Sequence, residues 1–284
     1  MQIIRSTMTG FVQPEPSQNW RDGIQCAVLL TFDVDGISSW INRNPDHINL
    51  PSLMSMADYG PKVATPRILD ILKHYQIQST FFVPGFIAET NQDLVKSIID
   101  HGHEIGHHGF MHEPPATLSL DEEHQIIHKG IDSLQSITGK RPVGYRSPSW
   151  ELSQHSIDLL IEHEFIYDSS LMGDDKPYKL NSNNGNGDII EIPIHWVLDD
   201  APHFVYAPSA NRMGPLKTAQ EVYSAWKDEF EGIYKYGGCY NLTMHPQHIG
   251  RPGRLLMLER LIQHIQSFDR VKFMTCEQVL SHSA

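Results

Sequence analysis

Short, almost unbroken apolar runs alternate with amphipathic stretches from Cys26 to the C-terminal end of the chain. CAVLLTF (Cys26–Phe32) is apolar at nearly every position, the pattern of a strand covered on both faces in a parallel sheet. Comparable runs begin at Ser79 (STFFV), His103 (HEIGHH), Val143 (VGYRS), Phe165 (FIYDSS), Ile189 (IIEIPI), Cys239 (CYNLTM) and Val271 (VKFMTC). Between them, Pro66–Tyr75, Gln92–His101, Ser119–Thr138, Ser153–His163, Thr218–Tyr236 and Gly253–Ser267 place apolar residues three and four apart, which makes one face of a helix. Ser119 with Glu122 has the form of a capping box, and Gly139 is placed to stop the same helix. This alternation predicts a parallel α/β architecture, and about eight strands suit a barrel better than a small open sheet. The expected organisation is one catalytic domain over residues 1–284, with its core at about 26–276.

Two stretches break the rhythm. Gly36–Pro66, with Trp40, His47, Tyr59 and several prolines, is too long and aromatic for a plain turn and is expected to be either a lid or substrate-facing loop or a surface decoration. NSNNGNGD (Asn181–Asp188) reads as a polar surface connection.

Composition narrows the partners. Among 284 residues, 34 Asp and Glu outnumber 22 Lys and Arg, giving a formal charge of -12. That field repels phosphate backbones and anionic membrane surfaces, and no basic block reverses it locally, so neither nucleic acid nor membrane is an expected partner. Cys26, Cys239 and Cys276 are odd in number and far apart, which predicts buried free thiols and a reducing compartment. The first twenty residues lack the apolar segment and cleavage site of a secretory signal, so the expected location is the cytoplasm.

The chemistry concentrates in HGHEIGHHGFMHEPP (His101–Pro115), which contains five histidines. His103, Glu104 and His107 spell the H-E-x-x-H of zinc proteases, which works only on a helix, where positions i and i+4 stand about 6 Å apart. Gly102, Gly106 and Gly109 argue against a helix here. On a strand, His103 and His107 would lie about 13 Å apart, too far to share one ion. His108 and His112 are different, because the strand ends near His108 and the following loop can fold the second imidazole back toward the first. A carboxylate for such a pair stands at the end of the first strand, where Asp33 and Asp35 flank Val34 before Gly36. Five predicted strands end in polar clusters (Asp33 and Asp35; His108; Arg146; Asp168; His245), and in a βα barrel those ends share one face.

With these motifs in order, the sequence resembles the polysaccharide deacetylases, the family 4 carbohydrate esterases that carry the chitooligosaccharide deacetylase homology domain. TFDVDG (Thr31–Gly36) is similar to their first motif, which implies Asp33 as general base and Asp35 as a metal ligand. HHGFMH is similar to the second and implies His108 and His112 as ligands. RSPSW (Arg146–Trp150) is similar to the third, in which the arginine holds the base and the aromatic residue lines the groove. LTMHPQ (Leu242–Gln247) resembles the fifth and gives His245 the role of acid. The fourth is ambiguous: YDSS offers Asp168 as the group orienting His245, and WVLDD offers Asp199. The family's adjacent aspartates are separated here by Val34, a D-x-D form that resembles the branch with peptidoglycan-deacetylase-like proteins, cyclic imide hydrolases and allantoinases.

The resemblance implies a metal-dependent hydrolase of non-peptide amide bonds. One divalent ion, Zn2+ by donor type with Co2+ or Ni2+ also suited, would sit among Asp35, His108 and His112 and activate water. Asp33, aimed by Arg146, would take the proton, and His245 would return one to the departing nitrogen. Trp150 and Tyr59 are expected to contact substrate, with Trp40 and Trp196 as further candidates for a stacking wall. The substrate is expected to be a small molecule or an oligosaccharide carrying an amide. A cyclic imide or ureide is the alternative, and an H-E-x-x-H protease or a silent binding protein are distant ones. The branch also implies a homo-oligomer.

Overall fold

A computed structural model of the protein describes residues 20–283. The expectation about a leader segment falls mostly on residues 1–19, outside the described residues.

The apolar runs are strands: β1 (Cys26–Asp33), β2 (Thr80–Val83), β3 (Glu104–His107), β4 (Gly144–Tyr145), β5 (Tyr167–Asp168), β7 (Asp188–Glu191), β8 (Cys239–Met244) and β9 (Val271–Phe273). The sequence did not point to β6 (Tyr178–Asn181), which pairs antiparallel with β7 and makes the NSNNGNGD stretch a hairpin connection. The strand order is β6-β7-β5-β4-β3-β2-β1-β8, with β9 beside the start of β1, and every pairing except β6 with β7 is parallel. After β7 the chain returns to β8 and makes one parallel bridge, Asp199 with Thr243, supported by a 3.1 Å bond from the Asp200 amide to the Thr243 carbonyl. The result is the expected distorted α/β barrel, with its ring joined at that point by a single bridge.

The helices lie where the three- and four-residue spacing put them. Leu120–Thr138 starts at Ser119 with a complete capping box and ends at Gly139, whose φ of 72° is the left-handed stop. Ala219–Tyr236 repeats the arrangement from Thr218 to Gly237. The Gly36–Pro66 insertion is ordered as short helices, Ser38–Arg43 and Pro51–Tyr59, followed by a π-helical turn at Gly60–Ala64. It packs Trp40, Leu53 and Ala57 against Ala207 in a small core of its own.

Strand periodicity sorts the side chains into two sets. Cys26, Val28, Leu30 and Phe32 of β1, Phe81 and Val83 of β2, and Tyr240, Leu242 and Met244 of β8 join the core beneath the helices. Ala27 and Leu29, with Phe82, Tyr167, Ile192 and Cys239, fill the inside of the ring. Continuing each inner row to the strand's C-terminal end gives Thr31 and Asp33, His108, Arg146, Ser169, and Asn241 with Thr243 and His245. The inner row is apolar at one end and hydrophilic at the other. Parity alone therefore turns His107 and Asp168 outward while their neighbours His108 and Ser169 point in.

The three cysteines are buried free thiols. No helix among the described residues is long and apolar enough to cross a membrane.

Gly144 is the tightest point of the inner row, where a Cβ would lie 1.8 Å from the Tyr167 ring. Because β4 has only two paired residues and delivers Arg146 immediately afterwards, the strand cannot shift to make room. Gly144→Ala is expected to destabilise the fold by about 1–3 kcal/mol, the usual cost of overpacking, seen as a lowered midpoint in thermal or urea unfolding. An unchanged midpoint would show that Tyr167 can move aside.

Candidate active site

Arg146 anchors the hydrophilic end of the ring. Its guanidinium has no solvent exposure and spends its donors on Asp33 Oδ1 (2.8 Å), Thr31 Oγ1 (2.9 Å), Ser169 O (3.1 Å) and Ser169 Oγ (2.9 Å). Its flat face lies 4.2 Å from the centroid of Phe82. Asp33 is thereby held by one oxygen, and its second, Oδ2, lies 4.0 Å from His108 Nε2.

Three side chains meet beside it. His108 Nε2 is 3.5 Å from Asp35 Oδ1, and His112 Nε2 is 3.5 Å from Asp35 Oδ2. Their ligand-type atoms all lie within 4.8 Å of one another. Asp35 Oδ1 is buried without a hydrogen-bond partner, as expected of an oxygen shaped to face a cation. Burial lowers the His112 pKa to about 4, which keeps its imidazole neutral with a lone pair to donate. Burial pushes the Asp35 carboxyl up, but His112, His108 and His245 around it outweigh this and hold it well below the ordinary range. His108 Nδ1 lies 2.8 Å from the Arg146 carbonyl, a contact that takes the Nδ1 proton and leaves Nε2 free to ligate. One carboxylate and two imidazoles fit a divalent transition metal.

The loop that returns His112 to His108 has a local cause. Glu113 Oε2 accepts from the Phe110 and Met111 amides (3.0 and 2.8 Å), and Gly109 takes a φ of 70°. His112 itself sits at φ 64°, and its carbonyl accepts from Asn42 Nδ2 (3.0 Å) of the insertion. Ser149 and Trp150 also lie in the left-handed region, at φ 62° and 59°. Three non-glycine residues in that conformation around one cavity mark strain held by the surrounding packing.

The protease pattern dissolves. His103 accepts from the Ser79 amide (3.2 Å) and packs on Phe81, whereas His107 faces outward to the Ile127 carbonyl (3.1 Å) beside Tyr145 and Phe165. Glu104–His107 is a strand, not a helix.

His245 follows β8 and reaches the same cavity. Its Nδ1 is 2.7 Å from Asp200 Oδ1 and 3.5 Å from Asp199 Oδ1, and its Nε2 points to Asp35 Oδ2 at 3.9 Å. Asp200 also accepts from the His245 amide (3.0 and 3.1 Å). Burial lowers the His245 pKa, but Asp199 and Asp200 overcome this and raise it well above the ordinary value. The partner expected from YDSS is therefore corrected. Asp168 faces outward by strand parity, accepts from Ser170 Oγ (2.6 Å) and lies in register with Glu191, and Asp200 orients His245 with Asp199 as second neighbour. Asp200 was missed because only the single bridge beside Thr243 brings WVLDD to β8.

Asp33, Asp35, His108, His112, Asp199 and His245 open into one cavity of about 560 Å3. Trp150 and Trp196 form part of its wall with ring centroids 4.4 Å apart, and Trp40 contributes a third indole. Tyr59, expected to touch substrate, does not line it. Its hydroxyl donates to the Gly250 carbonyl (3.1 Å) and its ring packs under Arg251 at 3.7 Å, because it ends the Pro51–Tyr59 helix on the side turned to that loop. Arg43 and Arg212 line the cavity as well, and no sequence motif announced them.

Comparison with known proteins agrees with this geometry. The polysaccharide deacetylase family model matches residues 25–167. The chain is 30% identical over 276 residues to the peptidoglycan deacetylase of Helicobacter pylori, covering 89% of this chain and 94% of that one. It is 27% identical over 284 residues to a peptidoglycan deacetylase-like protein of Gibberella zeae, covering 88% and 84%. A solved structure of a candidate polysaccharide deacetylase from Mycobacterium smegmatis superposes with a TM-score of 0.90 at 37% identity, covering 95% and 94%. PuuE allantoinase shares the fold, with a TM-score of 0.81 at 22% identity over 92% and 91%. The chain belongs to the polysaccharide deacetylase family. It is a hydrolase of amide carbon–nitrogen bonds, in a family of metal-dependent deacetylases whose ligand set has candidate counterparts here.

Below the site, Asp168 and Glu191 are a buried carboxyl pair in register on β5 and β7, each with one oxygen that has no hydrogen-bond partner. Burial raises both pKa values, Glu191 further because Asp168 faces it. The folded chain thus binds more protons than the unfolded one above the ordinary carboxylate range, and this contribution to stability is lost as pH rises through the raised values. Glu191→Gln keeps the oxygen that accepts from the Ser170 and Leu171 amides and offers Asp168 a donor. The variant is expected to match the wild type in melting temperature near pH 5 and to exceed it by at least about 2 °C at pH 8. A pH-independent difference would mean that the pair does not titrate in this range.

Proposed function

We propose that this protein is a metal-dependent amide hydrolase in which Asp33 is the general base, His245 the general acid, and Asp35, His108 and His112 hold one divalent ion, with zinc as the best match to the donors. The observation that carries the reading is the convergence of those three ligand-type side chains, from β1 and from the turn after β3, beside an Arg146-bound aspartate and an Asp200-bound histidine.

When bound, the ion would polarise the amide carbonyl and lower the pKa of water toward neutrality. Arg146 keeps Asp33 in one orientation, with Oδ2 turned toward the ligand cluster, where it can accept the proton of an attacking water. Asp200 fixes the His245 ring through Nδ1 and directs Nε2 to the same cluster. The raised pKa of His245 keeps a proton on Nε2 at neutral pH for delivery to the departing nitrogen, which an amide requires because an amine anion is a poor leaving group. The Trp150–Trp196 pair offers a flat apolar surface for a ring.

A cavity of about 560 Å3 suits a compact substrate, such as a single N-acetylated amino sugar or the end of an oligosaccharide. The peptidoglycan deacetylase relatives favour the acetylated sugar. The fold shared with an allantoinase supports a cyclic imide or ureide as the second reading. On its charge and free thiols we also place the protein in the cytoplasm without nucleic-acid or membrane partners, and we carry a homo-oligomer over from the resemblance to its branch alone.

Asp33→Asn is expected to keep a full equivalent of zinc while kcat/KM falls about 10²–10⁴-fold on chitooligosaccharides, N-acetylglucosamine, succinimide or allantoin, whichever the wild type cleaves. His108→Ala is expected to lose the metal itself, measured by elemental analysis. Undiminished turnover in the first variant, or an undiminished zinc content in the second, refutes the corresponding assignment.

A further inference from the structure

A chain of charge -12 places two arginines on the wall of its reactive cavity. Arg43 ends the Ser38–Arg43 helix of the insertion, and Arg212 lies on the segment that follows Ala201–Phe204. The two supports are built. Ala207 and Arg212 exchange backbone hydrogen bonds (2.7 and 3.1 Å) around Asn211, whose φ is 56°. Ala207 in turn packs with Trp40, Leu53 and Ala57, so the small core that positions Arg43's helix also positions Arg212's turn.

Both guanidiniums belong to the wall of one cavity, and burial and then Arg212 lower the Arg43 pKa from its ordinary value, with Asp35 acting in the opposite direction. Among the described residues neither side chain makes an ion pair or a hydrogen bond, and nearby acids do not explain them. Asp33 is bound by Arg146 at 2.8 Å. Asp35 sits between His108 and His112. Asp199 accepts from the Ala201 amide at 2.8 Å and faces His245. Two like charges without a partner side chain on one cavity wall are an electrostatic cost that an arriving anion would relieve, and the planar fork of arginine matches a carboxylate.

We propose that Arg43 and Arg212 form a carboxylate-binding subsite, so that the substrate is a compact amide bearing a carboxylate near the scissile bond. This rests on the hydrolase reading above for its reaction, but the binding claim stands separately. A sugar with an acidic ether and a small amide acid both have the required chemistry.

Two matched pairs test it: N-acetylmuramic acid against N-acetylglucosamine, and succinamate against succinamide, each pair differing in a carboxylate. The zinc-loaded wild type is expected to prefer the acidic member in kcat/KM by at least about 10-fold, mainly through KM, and Arg43→Gln/Arg212→Gln to bring that ratio toward one. The pair with the larger ratio identifies the source of the carboxylate. Succinate binding, read by tryptophan fluorescence, needs no turnover: it is expected to weaken at least about 10-fold in the glutamine variant and to recover partly in Arg43→Lys/Arg212→Lys. Arginine-dependent succinate binding without cleavage of any of the four amides would retain the subsite and count against the hydrolase reading. Equal cleavage of acidic and neutral members, or succinate binding that is absent or indifferent to the arginines, overturns the subsite and leaves the hydrolase reading standing.

Discussion

The Arg146 guanidinium is a full charge with no access to water, and the mouth of the ring is organised around keeping it paired. Leaving such a group without partners costs several kcal/mol, so its neighbours are constrained in position. It takes Asp33 and Thr31 from β1 and Ser169 from the end of β5, and it rests on the Phe82 ring of β2. One side chain thereby ties three strand ends, those of β1, β4 and β5, and the Phe82 ring of β2 into one layer. The Asp33 orientation that the proposed proton transfer requires follows from that tie.

Above this layer the site depends on turns held in unusual conformations. Glu113 folds the loop that carries His112, and the insertion holds the same loop through Asn42. Left-handed φ angles at His112, Ser149 and Trp150 show that His112 and the aromatic wall are set by their surroundings more than by local preference. Such pre-set geometry is what a metal centre and a stacking surface need, since neither tolerates an ångström of drift.

The single bridge between Asp199 and Thr243 has an effect out of proportion to its size. It draws WVLDD to the end of β8, and the two aspartates make the histidine after that strand a stronger base than a free imidazole. The outward-facing Asp168 and Glu191 pair lies behind the layer and does not compete for His245.

Strand parity was already written in the sequence. Alternation along CAVLLTFD, HEIGHH and CYNLTMH commits Asp33, His108 and His245 to one face, and the D-x-D spacing keeps Asp35 with Asp33. The same rule turns Asp168 away, although a motif resemblance pointed toward it. Tertiary structure alone decided the rest. Asp200 becomes the partner of His245 only where the ring closes, Tyr59 leaves the cavity because its helix ends on the far side, and Arg43 and Arg212 meet only because two distant segments share one small core. The physical reason is range: side-chain direction along a strand is fixed every two residues by the backbone, whereas contacts between separate segments depend on packing that no local pattern encodes.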